Sequence, residues 1–164
     1  MTIVSAQAEI DAQWMRQALA AARAAQQRDE VPVGTCIVIG DALVAVAGNQ
    51  TCADRDPTAH AEMIALREAA RKIDNYRLNG ATVYSTVEPC AMCAGALIHA
   101  RVQRLVYGTR DEKAGAVESH FGICNTDFLN HRIEISANVL EDECRELLQQ
   151  FFRARRRAGM KDEG

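Results

Sequence analysis

Apolar and polar positions along this chain follow helical and strand periods in turn, and their order outlines the elements. From Ala6 to Arg28 an Ala- and Gln-rich stretch places Ile10, Trp14, Ala18, Ala21 and Ala25 near one face, which predicts a helix. Val31 to Ile39 is a β-branched run of buried-strand type. Gly40-Asp41 is a turn signal and Leu43 to Ala47 a second strand, so the two predict a hairpin. A polar loop follows from Gly48 to Asp56. Pro57 opens a helix to about Ile73, because the missing N–H costs nothing in a first turn, with Asp56 and Thr58 as candidate caps. After the turn at Asn79-Gly80 come a strand, Ala81 to Thr86, a helix from Pro89-Cys90 to near Ala100, and a strand, Val102 to Tyr107. Gly108 to Asn130 is irregular, with room for one short helix. A short strand, Ile133 to Ile135, precedes an amphipathic helix, Glu141 to Arg157, with Leu147, Leu148, Phe151 and Phe152 as its inward candidates. This order predicts an α/β fold, a mixed sheet sandwiched by helices.

The 164 residues suit one domain spanning 1–164, with polar residues from about Gly159 expected to fray. Nothing repeats, and no linker rich in Pro, Gly or Ser divides the chain. Aromatics make up only 5% of residues, so small aliphatic side chains must supply most of the packing. The net charge of −3 argues mildly against a nucleic-acid partner, since phosphates reward Lys and Arg. The charge is uneven, however: Phe151-Phe152-Arg153-Ala154-Arg155-Arg156-Arg157 is strongly basic with aromatics beside it, and local charge steers a partner more than the total does. No stretch approaches the ~20 apolar residues of a membrane span. The first residues lack a basic segment followed by an apolar one, so a cytoplasmic protein is expected. In that reducing compartment the six cysteines do not form a disulfide framework. Cys36, Cys52 and Cys144 read as buried or partly buried thiols.

Two short stretches carry chemistry: Thr58-Ala59-His60-Ala61-Glu62 and Glu88-Pro89-Cys90-Ala91-Met92-Cys93, each at a predicted helix start. Residues three apart on a helix share a face, so Cys90 and Cys93 can grip one ion. Helix N-termini favour thiolate, the form that binds zinc. With His60 as third ligand, one tetrahedral position stays open for water, the mark of a catalytic rather than a structural zinc site. Glu62 lies close enough to take a proton from that water and return it to a leaving group. Blander readings remain for each: a thiol pair, a core histidine, a carboxylate that merely complements the helix dipole, or a structural zinc.

Longer stretches around these motifs carry a family resemblance. Glu30-Val31-Pro32-Val33-Gly34, Asp56 to Glu62, Asn75-Tyr76-Arg77-Leu78, Glu88 to Ala96 and Asn130-His131-Arg132 resemble the bacterial tRNA-specific adenosine deaminases of the cytidine deaminase-like superfamily, from about Ala12 to Arg157. That resemblance implies a three-layer α/β/α sandwich around a mixed five-stranded sheet, and one zinc ion per subunit of a homodimer. It implies hydrolysis of adenosine to inosine at the wobble position of a tRNA anticodon, water attacking C6 while Glu62 protonates N1 and then the amine. It also implies that Asn49 hydrogen-bonds the flipped base, that Asp111 lines the RNA cleft, and that Phe152, Arg153, Arg155 and Arg156 hold the anticodon stem-loop. Read without it, Asn49 is a turn former, Asp111 a helix cap before Lys113, Phe152 a core residue and the arginines a solvated face. Between Val117 and Asp127 the chain departs from the family, where a stretch richer in Gly and Leu is usual. A free-base or nucleotide deaminase on the same fold is the alternative enzyme. A non-catalytic RNA-binding subunit is the alternative of another class.

Overall fold

The computed structural model describes residues 3–159. Its elements are α1 (Ile3–Gln27), β1 (Gly34–Ile39), β2 (Ala42–Gly48), α2 (Thr51–Asp54), α3 (Ala61–Ile73), β3 (Ala81–Val87), α4 (Ala91–His99), β4 (Arg104–Thr109), a single 3-10 turn at Ile123–Asn125, β5 (Glu134–Ser136) and α5 (Glu141–Arg157). Residues 160–164, where most of the expected fraying falls, lie outside the described part.

The sheet order is β2-β1-β3-β4-β5. β1 pairs antiparallel with β2 and β3, while β4 runs parallel to both β3 and β5. The mixed five-stranded sheet is thus as the resemblance implies. Strand periodicity divides the core in two. Ile37, Val83, Leu105 and Tyr107 point to one face, against Ala65, Leu66 and Ala69 of α3 and Ala94, Leu97 and Ile98 of α4. Cys36, Val38, Tyr84 and Val106 point to the other, against Met15, Ala18, Leu19 and Ala22 of α1 and Cys144 and Leu147 of α5. The central strands are therefore buried on both sides, which is why they read as continuous apolar runs. Gly34 lets α1 approach most closely: a Cβ there would lie 1.9 Å from the carbonyl oxygen of Ala18. Tyr107 illustrates the cost of a buried polar tip, and its O–H donates to Glu118 Oε1 at 2.6 Å.

Four expectations need correction. The buried stripe of α1 is Met15, Ala18, Leu19, Ala22 and Ala25, one step round from the predicted face; Ile10 is 45% exposed and Ala21 only half-buried. The cause is Asp11, which takes the inward position by pairing with Arg104. α3 begins at Ala61, not at Pro57, because the Asp56 carboxylate accepts from Thr58 N–H at 2.8 Å and from its hydroxyl at 2.7 Å, closing a separate turn. The loop after β2 contains α2, whose first amides, Cys52 and Ala53, are capped at 2.8 and 3.2 Å by the buried carboxylate of Glu30. Cys52 is exposed, whereas Cys36 and Cys144 are buried as expected.

Candidate active site

His60 and Cys90 occupy equivalent places. Each is the N-cap of a helix, His60 of α3 and Cys90 of α4, with extended backbone at φ −71°, ψ 152° and φ −76°, ψ 178°. An N-cap side chain ordinarily turns back to bond its own helix. Neither does so here, and both side chains meet instead. His60 Nδ1 is 3.7 Å from Cys90 Sγ and 3.5 Å from Cys93 Sγ. The three donor atoms lie within 4.8 Å of one another, a group that could hold a metal ion. Two helix N-termini therefore converge on one spot and lend it positive potential.

The protonation states follow. The Cys90 thiol is held down to about 3, first by a hydrogen bond with Cys93 and then, against the cost of burial, by His60. The Cys93 thiol is pushed up by that same hydrogen bond and by burial. His60 is raised by its bond to Cys90, although burial opposes this.

Glu62, in the first turn of α3, is only 4% exposed. Burial raises its carboxyl above the ordinary glutamate value. Its Oε1 is buried without a hydrogen-bond partner, a costly state that a structural carboxylate would avoid.

Asn49 is buried at the end of β2, with its amide 3.4 Å from Thr51 Oγ1. Gln50 N–H donates to the Ala59 carbonyl at 3.0 Å, which draws the 49–50 and 59–60 backbone together. Asp111 sits two links from the metal group: its N–H donates to Glu88 Oε1 at 3.2 Å, and Glu88 is two residues from Cys90. Its carboxylate accepts from the amides of Lys113 and Ala114 at 3.0 and 3.1 Å and closes a turn; no helix follows directly, so the helix cap that local reading allowed does not form.

α5 packs on the opposite face of the sheet from α3 and α4. Its C-terminal end still reaches back toward this region. Arg155 donates to the carbonyl of Asp29 at 2.8 Å and lies 4.5 Å over the Phe151 ring. Asp29 adjoins Glu30, which caps α2 just after Asn49. Arg153 and Arg156 are exposed, and Phe152 is half-buried edge-on to Phe151 at 5.5 Å.

Residues 9–156 match the MafB19-like deaminase family. The tRNA-specific adenosine deaminase of Haemophilus influenzae is 43% identical over 95% of this chain and 91% of its own length. That of Bacillus subtilis is 38% identical over 90% and 91%. The chain belongs to the tRNA-specific adenosine deaminase family. A structure solved in a study of A-to-I editing at the wobble position of transfer RNA superposes with TM-score 0.81 at 41% identity, covering 83% of this chain and 99% of that one. The guanine deaminase of Nitrosomonas europaea superposes at 0.71 with 25% identity, over 85% and 83%. The architecture is accordingly the cytidine deaminase-like α/β/α sandwich of the deaminase family.

Sequence reasoning missed Glu88 as a residue with its own task. It is 2% exposed, and although burial opposes ionisation, hydrogen bonds from Glu118, Ser119 and Asp111 hold its carboxyl below the usual range. A signal was present: an acidic residue directly after a buried strand and before Pro-Cys has no apolar reason to be there.

Proposed function

We propose that the chain hydrolyses adenosine to inosine and ammonia at the wobble position of a tRNA anticodon, using one zinc ion held by His60, Cys90 and Cys93. The donor set supports zinc. At ordinary Zn–S and Zn–N lengths, a tetrahedral edge between sulfur and nitrogen is about 3.6 Å, against 3.7 and 3.5 Å here. Such an ion supplies Lewis-acid activation of the attacking water. Glu62 is the proton carrier: its unpartnered Oε1 would take a first proton from water and pass it to N1, then take the proton of the new C6 hydroxyl and pass it to the amine, which leaves as ammonia. That orphaned oxygen, two residues from a ligand, is the observation that carries the reading. Asn49 holds the base through an amide that can both donate and accept.

The RNA contacts divide. Arg153 and Arg156 pair with phosphates, and Phe152 offers the exposed part of its ring to a base. Arg155 adds charge while remaining on Asp29. Asp111, with Oδ1 committed to its own turn, meets RNA through Oδ2 and a ribose hydroxyl. A homodimer in the cytoplasm belongs to the same reading. Likeness to a guanine deaminase favours one rival, a free-base deaminase using the same ligands and Glu62. An ammonia assay separates them: conversion of a synthetic anticodon stem-loop with none of free guanine or cytosine is expected, and the reverse overturns the choice. Glu62→Gln should lose about 10²–10⁴ in kcat with one zinc per chain retained. Normal turnover by that variant would remove Glu62 from the chemistry.

A further inference from the structure

The proposed reaction makes no use of Glu88, yet this carboxylate is the hub of the stretch that follows β4. Oε1 accepts from the Asp111 amide at 3.2 Å and from the Ser119 hydroxyl. Oε2 accepts three consecutive amides, Val117, Glu118 and Ser119, at 3.1, 2.8 and 2.9 Å. Main-chain bonds close the join on either side. Glu88 N–H donates to the Thr109 carbonyl at 2.9 Å, and Ala116 N–H to the Pro89 carbonyl at 2.9 Å. Gly115 completes the fit. A Cβ there would lie 2.5 Å from both the carboxyl carbon and Oε1 of Glu88, and 2.6 Å from the Asp111 carbonyl oxygen. Only glycine lets backbone pass that close. Successive amides converging on one anion form a nest, here filled by the protein's own side chain. Residues 111–119 contain no helix or strand, so this carboxylate replaces the hydrogen bonds that regular structure would have provided.

We infer that Glu88 is a positioning residue: it fixes the 111–119 loop, and Asp111 with it, against the Pro89-Cys90 turn as a preformed wall of the RNA site. The inference rests on the reading of RNA as substrate. It also gives a task to the start of the atypical 117–127 segment, whose first three amides are the donors to Oε2. A loop already in place spares RNA binding the cost of ordering it. Its loss therefore appears in KM rather than in the chemical step. Glu88→Gln tests this, because whichever way the amide is turned, an NH2 group faces at least one backbone N–H.

The expected result is a KM for the anticodon stem-loop raised about tenfold, the loss of one hydrogen bond to a charged group. In the same variant kcat changes less than about threefold, below 1 kcal/mol by the transition-state relation, and zinc content is unchanged. Gly115→Ala, which drives a Cβ onto the same carboxylate, should show the same KM signature. Hydrogen exchange without RNA gives an independent arm. The amides of Asp111, Val117, Glu118 and Ser119 are protected in the parent protein and exchange about tenfold faster in Glu88→Gln. Unprotected amides in the parent would overturn the inference even if the variant fails to fold. So would an unchanged KM, or a collapse of kcat with loss of zinc, which would make Glu88 a support of the ligand turn instead. Exchange is read without substrate, so a parent protein that ignores the stem-loop refutes the RNA reading while the loop anchor is still judged.

Discussion

Replacing Asp11 by alanine should cost this fold about 3 kcal/mol, the lower end of what is lost when one member of a buried ion pair is removed. Asp11 Oδ1 and Oδ2 accept from Arg104 at 2.8 and 2.7 Å, and Oδ1 also accepts from the Tyr84 hydroxyl at 2.9 Å and from Gln7 at 3.0 Å. One carboxylate therefore joins α1 to β3 and β4. Its removal strands the Tyr84 hydroxyl and leaves Arg104 with Ser136 Oγ, at 2.8 Å, as its remaining side-chain bond. The Arg104 side chain is 14% exposed, so water relieves part of the penalty, which places the loss at the lower end of the range. For a chain of this size, about 3 kcal/mol lowers Tm by roughly 6–12 °C.

Urea denaturation of the parent, Asp11→Ala, Arg104→Ala and the double variant measures the coupling. Asp11→Leu with Arg104→Met should recover most of the loss, because no charge then remains buried. Acid adds a second reading. Burial alone would raise the Asp11 carboxyl, but the bonds from Arg104, Tyr84 and Gln7 hold it below the ordinary value. Its stabilisation is therefore complete above the unfolded carboxyl's range and is lost as pH falls through the lowered folded value. The gap between parent and Asp11→Asn should accordingly narrow below about pH 4. A loss under about 1 kcal/mol, the worth of an exposed pair, or strict additivity in the cycle would refute the reasoning.

Two further outcomes follow from the geometry. Gly34→Ala should destabilise by about 3 kcal/mol or more through overpacking, since its Cβ would meet the Ala18 carbonyl oxygen and force α1 off the sheet; an unchanged urea midpoint would contradict this close approach. RNA affinity should fall steeply with salt, and Arg153→Ala with Arg156→Ala should flatten that slope by roughly 1.5, two released counterions on single-stranded RNA. A slope unaffected by both substitutions would take α5 out of the RNA platform.

Much of this was legible in the sequence because it is local. The Glu141–Arg157 helix has the predicted bounds, since three acidic residues open it, three arginines close it and the apolar stripe between has a clear period. The meeting of His60, Cys90 and Cys93 in a group that could hold a metal was legible because they belong to two short motifs with fixed spacing. What was missed depends on partners far apart. Asp11 is inward only because Arg104, 93 residues later, meets it. Glu30 caps a helix 22 residues on, and Glu88 gathers amides 23 to 31 residues on. In each case a charged residue is buried by long-range hydrogen bonds, and hydropathy, which scores each position alone, assigns it to the surface.

On the proposed reading, a division of labour across the sheet accounts for an acidic protein acting on RNA. His60, Glu62, Cys90 and Cys93 sit at two helix starts, and a guanine deaminase shares the fold at 25% identity. That scaffold cannot by itself choose between a free base and an anticodon. On the same reading two elements beside it are candidates for that selection, α5 by charge and the 111–119 loop by position. α5 carries Glu141, Asp142 and Glu143 in its first turn and Arg155, Arg156 and Arg157 in its last. That segregation matches the helix dipole at both ends and gathers cations at one. Arg155 ties that basic end to Asp29, next to the residue that caps α2 after Asn49. The second element, the loop fixed by Glu88, joins the ligand turn directly through Pro89. A net charge of −3 therefore says little about substrate. If α5 meets the anticodon as proposed, its arginines set the local field, and acidic residues farther away are screened within a Debye length of ~8 Å.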